Sequence, residues 1–344
     1  MRTTGDHVPH PTASLTAATW RQLTSQPVKR TMYTDEPHVA RGWRSATQSL
    51  GPRPGWMLQR TALALLRPDA LYAQRVDDAI SYIAGLGMEP VFAAEVRFTA
   101  RSAASMWKYQ WGGASADRTA LMTTLLTSGP SVLVAFRDRA DGIRLPSSVR
   151  LSAVKGSGHP GERTGGELRS ALRSPNRVLT FVHVADEPAD ILRETAILLG
   201  DDERRRLFSA LGPGTHEMPR LPADSAPPPD LDGGRALARI TATVRAAPVD
   251  GDDGARADLL ALLEQVRAGK RLAWRPFRHA VARSRLAVPL WDQLLAGAAH
   301  ISYDSLDGRA VISDSGRGGW LAGNGTVLSD AAADAGSRVE EAAG

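Results

Sequence analysis

Thr61-Ala-Leu-Ala-Leu-Leu-Arg67-Pro68-Asp69-Ala70 decides how the chain is read. Thr61–Leu66 is an apolar run too short for a helix of ordinary length, and Pro68 stops it, which predicts a buried strand. Asp69 then stands where an N-cap would start a helix over Ala70–Leu86. Val76, Ile80, Ile83 and Ala84 recur at helical spacing, and Gly85 and Gly87 end the pattern. Val91–Phe98 reads as a second strand. Thr99 can cap a helix over Ala100–Gln110, and Asp117 one over Arg118–Thr127. Ser128-Gly129-Pro130 turns the chain into a third strand at Val132–Phe136. Ser147–Val154 reads as helix, Gly156 to Gly166 as a Gly-rich loop, Val178–Val184 as a fourth strand and Glu187–Leu199 as an amphipathic helix. The order β-α-β-α-α-β-α-loop-β-α fits an α+β domain of ferredoxin-like βαββαβ type, a four-stranded sheet covered by helices.

This domain is expected over 58–205. Residues 1–57 are Thr-, Pro- and His-rich with little periodicity, and read as a mostly irregular N-terminal arm with one short helix near Ala13–Ser25. Residues 206–234 read as a Pro-rich linker. Residues 235–328 read as a small C-terminal α/β module. Within it, 235–247 suits a strand or a short helix, Ala255–Ala268 an amphipathic helix, Phe277–Ala298 a helical stretch interrupted by Pro289, and Ile301–Trp320 a hairpin. The Ala/Asp/Glu-rich end, 329–344, reads as a disordered tail.

Apolar residues make up 42% of the 344 and charged residues 23%, which suits a globular core, while no apolar run is long enough to span a membrane. The chain has no cysteine, which excludes disulfides, thiol nucleophiles and Cys-type metal sites, and makes a cytoplasmic protein the expectation. No pair of histidines has metal-ligand spacing on a helix, so no resident metal site is expected. All but four of the 42 basic residues are arginines, spread along the chain; the net charge of +5 does not form a nucleic-acid footprint. Arg271 to His279 mixes arginine with Trp274 and Phe277, and reads as a packing helix rather than a stacking platform.

Several segments of 58–200, in this order, resemble the nucleoside diphosphate kinases. Arg67-Pro68-Asp69 is similar to the Lys-Pro-Asp that ends that family's first strand. Ser128-Gly129-Pro130 resembles its Ser-Gly-Pro before the third strand. Phe181-Val-His183-Val-Ala-Asp-Glu187 resembles its His-Gly-Ser-Asp-Ser signature, and Glu194 stands eleven residues after His183, as the family's orienting Glu does. The resemblance implies that His183 is a phosphorylated nucleophile, oriented by Glu194; the alternative is a histidine that merely ends a strand. A neutral imidazole suits phosphoryl relay once its tautomer is fixed. By the same alignment Arg67 and Arg169 would hold phosphates and Trp107 would line the pocket. Arg118 falls where a family aromatic stacks on the base, and could equally be a solvated arginine. Thr180 replaces an asparagine. Arg150 lies two residues from Ser152, where a further phosphate-binding arginine is expected. Val184-Ala185 replaces the Gly-Ser after the histidine, and the loop residues Gly158 and Gly165 to Leu172 depart from the family pattern. The resemblance implies transfer of a γ-phosphoryl group between nucleotides (ATP to a nucleoside diphosphate or a specialised acceptor), Mg²⁺ brought with the nucleotide, and a homo-oligomer. The departures leave an alternative, a catalytically weak or inactive nucleotide-binding scaffold with a protein partner docked through the C-terminal module.

Overall fold

The computed structural model describes residues 15–212, 220–222, 224, 226–247, 253–312 and 315–329. Four antiparallel strands form one sheet in the order β2-β3-β1-β4: β1 Thr61–Leu66, β2 Met88–Arg97, β3 Pro130–Asp138 and β4 Val182–Val184. Strand β1 is buried at all six positions and paired on both edges. No face of it meets water, which is why its sequence is a continuous apolar run without alternation. Pro90 has no N–H to give to a ladder; β2 takes it at the sheet edge, beside a bulge between Pro90 and Phe92. The α+β class and the place of each of the four strands match the reading of the sequence, but β4 is only Val182–Val184 of the expected Val178–Val184. The helix expected over Ala70–Leu86 is two helices, Pro68–Tyr72 and Val76–Ala84, separated at Gln74, whose φ is +54°. Ser115, rather than Asp117, caps Ala116–Leu126, and Asp117 Oδ1 instead accepts the N–H of Trp274 at 2.9 Å.

Residues 15–57 are not an irregular arm. They form the helices Ala17–Leu23, Pro27–Thr34 and Pro37–Ser49 and the start of Pro54–Gln59. Three of these helices begin on a proline, which reads as a breaker in sequence but supplies a preset φ and an unneeded N–H at the first helical position. Pro37–Ser49 lies along Pro188–Leu198, where Gly42 meets the Leu192 backbone so closely that a Cβ would strike its carbonyl. Helix Asp201–Leu211 runs through the first residues assigned to the linker, and Arg204 Nε donates to Ser45 Oγ at 2.9 Å. Of the linker, 213–219, 223 and 225 lie outside the described residues, as does 330–344 of the tail.

The C-terminal region is helical rather than α/β. It contains Gly233–Ala246, Asp253–Arg267, Trp274–Ser284, Leu290–His300 and Arg317–Leu321, with no strand among the described residues. Trp274 and Phe277 are buried, so the Arg/aromatic stretch is a packing helix; Trp274–Ser284 lies against Ala116–Leu126. Among the described residues of Ile301–Trp320 there is no hairpin, because the segment pairs with 109–115 instead. Ser115 N donates to Tyr303 O (3.0 Å), Ser305 N to Gly113 O (3.1 Å) and Val311 N to Tyr109 O (2.7 Å). Gln59, fully buried, joins both flanks: its amide donates to Gln22 O (2.9 Å) and Thr326 O (2.7 Å), and its carbonyl accepts from Leu328 N (2.8 Å). Among the described residues no helix is long and apolar enough to cross a membrane.

Candidate active site

The end of β1 fixes the approach to His183. Asp69 accepts Arg67 Nε (3.1 Å), Arg67 Nη2 (2.6 Å) and the Phe181 N–H (2.9 Å). Arg67 N donates to Phe181 O at 2.9 Å. Phe181, with its bulky buried side chain, is thereby held at φ +62°, a left-handed conformation that stores strain of about 1–3 kcal/mol. The chain then enters β4, where His183 lies opposite Leu65 of β1.

Glu194, on helix Pro188–Leu198, meets His183 with Oε1 2.8 Å from Nε2. A carboxylate only accepts, so Nε2 carries the hydrogen, and in the neutral ring the lone pair is on Nδ1. The Trp107 ring meets the imidazole edge-on at 5.5 Å, and Trp111 lies nearly parallel to Trp107 at 6.0 Å. These groups open on a cavity of about 450 Å³.

Six of the eight residues singled out in the sequence line this cavity: Arg67, Trp107, Arg118, Arg169, Thr180 and His183. Glu194 stands behind His183. Arg150 is elsewhere: it donates to the carboxylate of Asp138 at the end of β3 and to Leu86 O, and lines separate depressions. The buried Asp138 has captured it. Ser152 bonds to Asp186 rather than facing a phosphate.

Arg169 differs from the other cations of the cavity. Its Nη1 and Nη2 donate to the carbonyls of Gly156 (2.9 Å) and Val182 (3.2 Å), its buried Nε has no partner, and no carboxylate forms an ion pair with it among the described residues. Burial, then the neighbouring Arg67 and Arg163, pull its pKa down to about 10, so it stays charged at neutral pH. A buried guanidinium with an unused donor is half of an anion site. The other cations have carboxylate partners: Arg67 with Asp69, Lys155 with Asp186 (3.0 Å), and Arg177 with both oxygens of Asp304 (2.6 Å each).

Lys155, Arg177, Asp186 and Asp304 were not singled out in the sequence as site residues. Asp186 follows the histidine in the signature and was open to assignment; Asp304 arrives from the C-terminal segment with no local signal. Lys155, Lys29 and Ser152 outweigh the burial of Asp186 and hold its carboxyl well below the usual range.

The Gly-rich loop braces itself. Glu167 accepts Thr164 N, Thr164 Oγ1 and Gly165 N, all at 2.8 Å, and these bonds, led by the Thr164 N–H, bring its carboxyl down to about 2. Arg163 ties the loop to Ser157 O (2.9 Å) and Ser174 O (2.7 Å).

Four residues past His183, the wholly buried Glu187 gathers six donors. Oε2 receives Thr24 Oγ1 (2.6 Å), Gln26 Nε2 (3.0 Å) and Lys29 Nζ (2.8 Å). Oε1 receives Ser25 N (2.8 Å), Ser25 Oγ (3.0 Å) and Trp320 Nε1 (2.8 Å). Lys29 also reaches Asp190 (2.7 Å), which accepts Tyr33 Oη (2.7 Å). Burial works against the charge on Lys29, but Asp190 and Glu187 outweigh it and raise its pKa. Both flanks therefore hold the head of the helix that carries Glu194.

No family model matches the chain, and no curated protein matches it. Among solved structures it is similar to a nucleoside diphosphate kinase from Aquifex aeolicus, at 15% identity over 40% of this chain and 93% of that one, with a TM-score of 0.34. An NDP kinase from Pyrobaculum aerophilum gives 18% identity over 42% and 97%, with a TM-score of 0.34. A halophilic nucleoside diphosphate kinase from Halobacterium salinarum, in complex with CDP, gives 14% over 42% and 89%, also at 0.34. Over about two fifths of its length, the chain resembles the nucleoside diphosphate kinases at low identity.

Proposed function

We propose that the protein is a phosphotransferase that carries a γ-phosphoryl group on His183. The observation that carries the reading is the His183–Glu194 bond inside a cavity whose cation Arg169 has an unused donor. With Nε2 engaged by Glu194, the Nδ1 lone pair is the nucleophile. It attacks the γ-phosphorus of a nucleoside triphosphate, the N–P bond forms, the bond to the β–γ bridging oxygen breaks, and the nucleoside diphosphate leaves. Glu194 stabilises the positive charge that the imidazole gains. Arg169 faces the phosphate oxygens, and Arg67 and Thr180 contribute from the cavity wall. The second half-reaction runs the same step backwards onto a nucleoside diphosphate or a specialised acceptor. The two carboxylates lining the cavity, Asp186 and Asp304, are each paired with a cation, and no cluster of three His, Asp or Glu able to hold a metal occurs among the described residues. Mg²⁺ therefore fits as a ligand of the nucleotide's own phosphates, where it would neutralise charge on them. The reading includes the fold: we take the β2-β3-β1-β4 order, with its crossover helices, as a ferredoxin-like βαββαβ unit.

The test is incubation with γ-labelled ATP and Mg²⁺, using wild type and His183→Ala. The expected result is an acid-labile, alkali-stable label on the wild type alone. A folded wild-type protein that takes no label at stoichiometric concentration overturns the reading.

A further inference from the structure

The cavity has two cationic ends. Lys155 and Arg169 stand with His183 and Asp186; Arg118 and Arg177 stand with Asp304; Arg67 lies within electrostatic range of both Arg118 and Arg169. At the second end both N–H groups of the Arg177 fork are spent on one carboxylate, at 2.6 Å each, and Arg118 Nη1 stands 3.8 Å from the same Asp304. That carboxylate comes from 302–312, a segment outside the sheet domain, laid along 109–115 by the bonds of Tyr303 and Ser305. A planar fork gripping two carboxylate oxygens presents the geometry with which it would grip two phosphate oxygens. We infer that Arg118 and Arg177 form a second anion subsite of the cavity, filled in the free protein by the chain's own Asp304 and taken over by a substrate phosphate remote from the one transferred.

Three observations support the exchange. Asp304 is 58% exposed and Arg177 24%, so the pair is open to solvent and within reach of an incoming anion. Arg177 has a second support besides Asp304, since its guanidinium also lies over the Tyr303 ring at 5.3 Å. The backbone on both sides of Asp304 is held, so only a side-chain rotation is needed to clear the fork. Burial and the neighbouring Arg177 lower the pKa of Arg118, as expected of two guanidinium groups brought together for a shared anion. The inference rests on the reading of the cavity as a phosphate-handling site.

The test measures binding, not turnover: calorimetric titration of the full chain with inorganic tripolyphosphate. Asp304→Ala should bind about five-fold more tightly than wild type, the gain expected from removing an exposed tethered competitor. Asp307→Ala, which removes an equal charge from the same segment, should leave affinity within about two-fold, since exposed charges are screened. Arg177→Met should weaken binding, and the double variant Arg177→Met/Asp304→Ala should bind no more tightly than Arg177→Met. Equal affinities for the Asp304 and Asp307 variants, or a gain that persists without Arg177, overturn the subsite. His183→Ala should show the same Asp304 effect. A protein that takes no label from ATP but keeps this pattern would therefore lose the phosphohistidine reading and retain the subsite.

Discussion

Replacing Glu187 by Gln removes one charge from a wholly buried carboxylate and turns one of its oxygens into a donor. The six groups around it are all donors in the observed network. If the new NH₂ takes the Oε1 side, it faces the Ser25 N–H and the Trp320 indole N–H, neither of which can turn into an acceptor. If it takes the Oε2 side, it faces the Lys29 ammonium. Hydroxyls can rotate to adapt; those three donors cannot. A buried donor left unsatisfied costs about 1–3 kcal/mol, and breaking a buried ion pair by removing one partner about 3–5 kcal/mol. Together these come to about 4–8 kcal/mol. Asp190 retains Lys29 and keeps the total at the low end, so Glu187→Gln should destabilise by about 4 kcal/mol, a large share of the roughly 5–15 kcal/mol typical of a folded domain. Glu187→Leu, which offers the surrounding donors no acceptor at all, should be worse. Urea denaturation followed by circular dichroism measures both, with the slope checked for constancy. A loss below about 1 kcal/mol for Gln, or a Leu variant as stable as Gln, would refute the account of Glu187 as the anchor of both flanks.

Glu194→Gln keeps a bond to Nε2 but loses the charge, and should slow label formation on His183 by about 10–100-fold, read by quench-flow with the KM for ATP little changed. Arg169→Met should lower kcat by about 10²–10³, as loss of a preorganised donor does, whereas Arg150→Met should leave turnover within about two-fold because Arg150 serves Asp138; steady-state kinetics separates them. Lys29 has a raised pKa in the folded state, so its stabilising contribution is complete below its ordinary 10.5 and is lost as pH rises through the raised value. The stability gap between wild type and Lys29→Met should therefore be constant from pH 7 to about 9 and shrink above pH 10.5, measured by denaturant titration across pH.

The sheet was legible because each strand is an apolar run bounded by a turn residue, and β1 most of all, since burial on both faces leaves no polar position to confuse the period. Much of the site was legible for a related reason: His183 lies within β4, and Arg67 and Thr180 lie just beyond strand ends that the sheet itself brings together. The flanks were illegible where local chemistry misleads. Pro27, Pro37 and Pro54 look like breakers and are helix starts. Segment 301–312 has a hairpin's weak alternation, but its partners lie in 109–115, and no pattern within the segment points there. Arg150 was assigned by distance along the chain, and a buried carboxylate nearer to it decided its place. Asp304 enters the cavity by tertiary contact alone.

The clasp at Gln59 and the donors of Glu187 bear on the order in which the molecule can be made. Glu187 is synthesised 162 residues after Ser25 and must wait a further 133 for Trp320. During that interval a buried carboxylate, four residues from the histidine, lacks one of its fixed donors, and the Ser302–Ile312 wall of the cavity does not yet exist. Contacts this distant in sequence close slowly and late. A nascent chain stopped between 205 and 312 would carry a sheet, a histidine and its glutamate, yet no finished pocket. A piece cut at 58 and 205 would stay in that unfinished state permanently.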